Sequence, residues 1–66
     1  MSRVIEVTGP DRGPDGNPEW TVSEVVIDDD TGDEWPVTWE YVSSRRDADE
    51  RAHAWADSKG LEVVNI

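Results

Sequence analysis

The segment VVIDDDTGDEWPVTW, residues 25–39, holds the densest group of side chains in this chain that could do chemistry. Five carboxylates fall within seven residues and tryptophans follow them: Asp28, Asp29, Asp30, Asp33, Glu34, Trp35 and Trp39. Carboxylates bind hard cations, attract positively charged partners or keep a turn hydrated, and tryptophan is a common anchor in protein interfaces. The segment could therefore be a cation site, a contact surface for a basic partner, or a solvated turn.

A specific cation site requires a ligand spacing that this segment lacks. An EF-hand loop has acids or amides at positions 1, 3 and 5, glycine at 6 and glutamate at 12. Counted from Asp28, Gly32 falls at position 5 and Glu40 misses position 12; counted from Asp11, Val22 occupies position 12. Both registers fail, so we predict no specific metal site and no cofactor.

Groups suited to catalysis are equally sparse. General acid–base catalysis needs converging groups in a pocket, usually a histidine or paired carboxylates with separated pKa values. His53 is the only histidine, and it is out of phase with the apolar residues of the helix predicted below. No serine or threonine stands beside a plausible base. We therefore predict that the protein is not an enzyme.

Charge is the strongest signal in the composition. The chain has 16 acids and 6 bases, a net charge of −10 and a pI near 4.1. Such a chain is repelled by nucleic acid and by anionic lipid, which argues against direct binding to either. Residues 1–44 contain eleven acids and two bases, whereas residues 45–66 contain five acids and four bases. The negative field therefore belongs to the first two thirds of the chain.

Length and composition indicate one small domain. A chain of 66 residues buries only about 60% of its unfolded surface, and the absence of cysteine excludes disulfides as a supplement to the core. No apolar run reaches signal-peptide length or the roughly 20 residues of a membrane-spanning helix. We expect a single domain over residues 1–66, soluble and cytoplasmic.

Three segments are rich in β-branched and aromatic residues and predict strands: residues 3–8, 20–27 and 35–42. Gly9 and Pro10 are expected to end the first strand, and the glycines and prolines of residues 9–19 predict an irregular loop. The acidic turn joins the other two strands into an antiparallel hairpin. Pro36 cannot donate a ladder hydrogen bond, which predicts an edge strand or a bulge there.

The second part of the chain predicts a helix and a fourth strand. Ser44 followed by Asp47 suits an N-cap, Gly60 suits a left-handed stop, and apolar residues recur on one face at Ala48, Ala52, Trp55 and Ala56. Residues 61–66 predict the last strand. A right-handed crossover then gives an α+β fold, a two-layer β-β-β-α-β domain with one four-stranded mixed sheet in the order 3-2-1-4 and a single helix packed on one face.

Such a fold leaves the second face of the sheet without a cover. Simple alternation puts Trp35, Val37, Trp39 and Tyr41 of the third strand on one face. Two interpretations stay open: three of the four tryptophans belong to the core, or Trp35 or Trp39 is partly exposed as an interface anchor.

The excess of acidic residues has two explanations, one environmental and one functional. A single lysine among six bases, with many aspartates, resembles the composition of proteins from salt-loving archaea, in which acid serves solvation. Small, acidic, cysteine-free chains also resemble the stoichiometric inhibitors of phage and mobile elements, which present carboxylates where a DNA-binding protein expects phosphates.

The uneven charge favours the second explanation. The sequence therefore predicts a non-catalytic protein that binds a more basic, nucleic-acid-binding protein through the acidic turn, Trp35 and Trp39. A small accessory domain of a halophile is the alternative, and a homodimer stays open.

Overall fold

A computed structural model describes residues 1–65 and contains four strands and one helix. The elements are β1 (Ser2–Arg12), β2 (Pro18–Ile27), β3 (Glu34–Val42), α1 (Arg45–Lys59) and β4 (Glu62–Asn65). They form one four-stranded sheet in the order β3-β2-β1-β4, in which β2 is antiparallel to both neighbours and β4 is parallel to β1. The predicted α+β architecture, strand order and single helix are confirmed.

Helix α1 begins and ends at the predicted residues. The Ser44 side chain accepts a hydrogen bond from the Asp47 backbone N–H at 3.1 Å, which satisfies one of the free donors of the first turn. Gly60 has a φ of 69°, a left-handed conformation that glycine adopts without strain, and Leu61 N–H then donates to the Ala56 carbonyl at 2.9 Å. These two caps fix the helix length at four turns.

The core lies between α1 and one face of the sheet. Ile5, Val7 and Val22 pack against the predicted helix stripe, whose buried members are Ala48, Ala52, Trp55 and Ala56. Alanine lets the helix backbone approach the sheet closely, and Trp55 supplies most of the volume that three alanines lack. The core is therefore small and centred on one tryptophan.

The β1–β2 connection is more regular than predicted. β1 continues through Gly9 and Pro10 to Arg12, and Asp11 and Arg12 pair with Glu19 and Pro18. A register shift after Thr8 absorbs the proline that cannot donate to the ladder, and pairing resumes beyond it. The prediction that β1 stops at residue 9 was wrong, because a bulge interrupts the pairing there without ending it.

A second bulge changes which residues of β3 share a face. Glu24 pairs with Thr38 and Val25 pairs with Pro36, so Val37 is the extra residue. Pro36 thus lies on an edge strand and beside a bulge, as predicted.

Across the bulge, Trp35 pairs with Val26 and Trp39 pairs with Ser23, positions of β2 that point to opposite faces. Trp35 and Trp39 therefore do not share a face, contrary to the simple alternation.

Within residues 1–65, α1 is the only helix, and it has neither the length nor the apolar character that crossing a bilayer requires.

Candidate functional site

The acidic turn closes the β2–β3 hairpin; we call its five carboxylates, Asp28, Asp29, Asp30, Asp33 and Glu34, the acidic tip. Asp28 N–H donates to the Asp33 carbonyl at 2.8 Å, and Gly32 N–H donates to the Asp28 carbonyl at 2.7 Å. The Asp28 side chain accepts the Asp30 N–H at 2.9 Å, the local bond for which aspartate is favoured in turns. Backbone geometry therefore holds the tip in a defined shape.

One member of the acidic tip is partly neutralised. Asp29 accepts a hydrogen bond from Ser2 Oγ at 2.8 Å and lies 3.0 Å from the amino group of Met1. These contacts lower the pKa of Asp29, the Ser2 bond contributing most. Within residues 1–65 the other four carboxylates of the tip form no ion pair; Asp30, Asp33 and Glu34 are exposed, and Asp28 is half-buried.

The predicted tryptophans are exposed, but the hairpin does not bring them together. Trp35 adjoins the acidic tip and is 41% exposed, while Trp39 lies four residues further along β3 and is 50% exposed. Of the other two tryptophans, Trp55 is buried and Trp20 packs partly against the core. Two of the four tryptophans, and not three, therefore contribute to the core.

A second acidic group, missed by the sequence analysis, lies at the other end of β3. Asp15, Glu19 and Asp47 line an open cleft of about 430 Å³ together with Tyr41, which is 61% exposed. Asn17 donates to the Asp15 carboxylate from its backbone N–H and its amide, and these bonds lower the pKa of Asp15. Asp15 lies in the β1–β2 turn, Glu19 at the start of β2 and Asp47 in α1, so only the tertiary fold makes them neighbours.

Glu24 is a buried acid that the sequence analysis also missed. Its carboxylate accepts hydrogen bonds from Arg3 at 3.0 Å and from Trp55 Nε1 at 3.1 Å, and it lies 2.7 Å from Lys59 Nζ. The hydrogen bond from Lys59, aided by those from Trp55 and Arg3, outweighs burial and lowers the pKa of Glu24. Since every oxygen has a partner, Glu24 joins the sheet to the helix and offers no free group to a ligand.

The bases of α1 are largely used inside the molecule. Arg51 binds Glu40 of β3 with both Nε and Nη2, at 2.6 and 2.9 Å, and stacks 5.5 Å from the Trp55 ring centroid. Lys59 pairs with Glu24, and Arg46 pairs with Glu50 at 3.4 Å. These cations tie the helix to the sheet or to itself.

The charge asymmetry follows the secondary structure: the helix is neutral and the rest of the chain is acidic. The helix has four acids and four bases, so the twelve acids and two bases outside it carry the whole net charge of −10. Within residues 1–65, no group of three or more acidic, histidine or cysteine side chains is arranged to hold a metal ion. What the arrangement offers is electrostatic attraction beside exposed aromatic surface.

No family model, curated protein or solved structure matches this chain.

Proposed function

We propose that this chain is a non-catalytic binding protein whose partner is a more basic protein. The observation that carries the proposal is that exposed aromatic side chains of β3 follow directly after the acidic tip, four of whose five carboxylates form no ion pair within residues 1–65. Buried aromatic residues supply most of the energy of an interface, and complementary charge raises the rate at which partners meet. Trp35 and Trp39 supply the aromatic contacts, and the acidic tip supplies the complementary charge.

In the favoured version the partner is a cytoplasmic protein that binds nucleic acid, and the chain is a phage-type stoichiometric inhibitor of it. Proteins that bind nucleic acid gain most of their affinity from basic side chains that contact phosphates. Carboxylates held at fixed positions, as at the acidic tip, compete for the same side chains. The chain then acts as a mimic of DNA.

The alternative is a small accessory domain of a halophile, in which acid serves solvation. The single lysine among six bases, and the many carboxylates that form no ion pair within residues 1–65, support this alternative. The neutral helix speaks against it, because a solvation coat would extend over the exposed face of α1 as well as over the sheet and loops.

The test uses affinity capture from a candidate host lysate, followed by kinetics with the captured protein. Replacing all five tip residues by Asn or Gln preserves size and turn propensity and removes the charge. We expect association to slow about tenfold at 0.1 M salt and to converge with the wild-type rate near 1 M, because screening removes the difference. Duplex DNA should compete with the chain for the captured protein.

A matched control separates the position of the charge from its amount. Two triple variants remove equal charge: Asp30→Asn, Asp33→Asn and Glu34→Gln at the tip, and Asp49→Asn, Glu50→Gln and Asp57→Asn on the helix. We expect the tip variant to slow association several-fold more than the helix variant does. Equal effects would show that only total charge matters, and unchanged rates would make the tip a solvated turn.

A further inference from the structure

The outer side of β3 is the longer free edge of the sheet within residues 1–65. β3 has nine residues and pairs only with β2, whereas β4, at the other edge, has four described residues. An edge strand presents unpaired N–H and C=O groups to which another chain can add as a strand. Pro36 lacks an N–H and Val37 is bulged, so the regular part of this edge is residues 38–42, which we call the β3 edge.

The β3 edge lacks the features that usually protect such a strand. Native edges are blocked by charged side chains, prolines or bulges, and here the proline and the bulge both precede residue 38. Glu40 is the only charged residue of the segment, and its carboxylate is held by Arg51. Trp39 and Tyr41, which pair with Ser23 and Thr21, lie on the face of the sheet that α1 does not cover.

Charge surrounds this apolar segment at both ends. The acidic tip lies before it, and the cleft lined by Asp15, Glu19 and Asp47 lies beside its last residues, Tyr41 and Val42. A strand added along the β3 edge would therefore run between two negative regions. Lysine or arginine residues at its ends would find carboxylates there, of which only Asp29 has a cation partner within residues 1–65.

We propose that the β3 edge binds an extended, basic segment of the partner by strand addition. Backbone hydrogen bonds to residues 38–42 supply affinity, and alternate side chains of the added strand contact Trp39 and Tyr41. Its basic residues reach the cleft beside Val42 and the acidic tip. The inference rests on the proposed function and specifies how the basic partner is held.

A second copy of this chain is the less favourable occupant. Antiparallel pairing of two β3 edges would bring the acidic tip of one copy towards the cleft of the other, so that carboxylates would face carboxylates. Each copy also has a net charge of −10. Both effects oppose a dimer, and both favour a basic strand.

The test uses a capped ten-residue peptide of alternating valine and lysine as the probe, at about 0.05 M salt. In one analogue the backbone nitrogen of every valine is methylated, and in the other that of every lysine. Because alternate N–H groups of a strand point to opposite edges, each analogue loses its hydrogen-bond donors on one edge and keeps its charge. We expect the parent peptide to slow amide exchange at residues 38–42 and at least one analogue to bind tenfold more weakly. Equal binding of all three peptides would overturn strand addition and leave attraction to a basic partner intact.

Variants of the protein locate the site. Tyr41→Ser should weaken binding of the parent peptide several-fold, whereas Val64→Ser, a matched change on the same face at the other edge, should not. Sedimentation of the chain alone at 0.1 M salt should give a monomer. Equal losses in the two variants, protection at β4, or a stable dimer would overturn the proposal, and failure of every peptide to bind would contradict the proposed function as well.

Discussion

The helix-covered side of the sheet and the β2–β3 hairpin use the same residue types in opposite ways. On the covered side, Trp55 is buried and donates to Glu24, whose charge is met by Arg3 and Lys59. On the hairpin, Trp39 is half exposed, and among residues 1–65 Asp29 is the one carboxylate of the acidic tip with a cation partner. Tryptophan and acid thus stabilise the fold in one region and are exposed to solvent in the other.

The largest expected difference between the two regions is in the cost of truncating a tryptophan. Trp55→Ala should cost about 3 to 5 kcal/mol of unfolding free energy, because it empties the core and leaves Glu24 with one donor fewer. A domain of this size has about 3 to 10 kcal/mol in all, so this variant should be largely unfolded at 37 °C.

Trp39→Ala should cost less than about 1 kcal/mol, since half of the side chain is already in water. Urea unfolding followed by circular dichroism measures both variants, and Trp55→Phe, which keeps most of the volume, should lie between them. A loss for Trp39→Ala as large as that for Trp55→Ala would place Trp39 in the core and break the comparison.

A smaller effect is expected from the buried acid. Glu24→Gln keeps the shape but weakens the bonds from Arg3 and Lys59, at a cost of about 1.5 to 3 kcal/mol at neutral pH. Because folding lowers the pKa of Glu24, its contribution is fully present above the unfolded pKa of about 4.3 and is lost as the pH falls through the folded value.

The stability of Glu24→Gln should therefore fall less steeply than that of the wild type below about pH 4.5. Thermal melts from about pH 7 to pH 2 measure the two slopes. Glu62→Gln, at an exposed acid on β4, is the control and should follow the wild type. Parallel slopes for Glu24→Gln and the wild type would mean that Glu24 does not link stability to pH.

The smallest effect should come from salt. The fold should already be cooperative at 0.1 M KCl and gain about 1 kcal/mol or less towards 3 M, because screening only relieves repulsion among exposed acids. Far-UV circular dichroism with melts from about 10 mM to 3 M measures this. A chain that folds only above about 1 M would favour the halophilic alternative, because its acids would then need salt to fold at all.

Local patterns were sufficient for the element order and the helix limits, because caps and apolar periodicity act over a few residues. Ser44, Gly60 and the stripe ending at Ala56 are examples. The bulge in β1 was not predicted, and Pro36 predicted the one in β3 only as an alternative to an edge strand, because simple alternation gives no sign that Val37 is the extra residue. That insertion is what separates Trp35 from Trp39.

The candidate site was predictable only in part, for a similar reason. The acidic tip is contiguous in sequence, whereas the acidic cleft unites Asp15 and Glu19 with Asp47 through the fold. Glu24 gave one local sign, an acid in phase with the apolar residues Val22 and Val26 of β2. Its role as a buried ion-pair partner could not be predicted, because Lys59 and Trp55, which bind it, lie on the helix.

Strand β2 also sets the distance between the two negative regions, because each of its ends adjoins a turn that carries acidic residues. Its ten residues span roughly 30 Å in a molecule whose longest dimension is 38 Å. The Debye length is about 10 Å at 0.1 M salt and about 30 Å at 0.01 M. At physiological ionic strength the electrostatic potentials of the two negative regions therefore do not overlap, and each region attracts only cationic groups that are close to it. In dilute buffer the two potentials overlap and act as one.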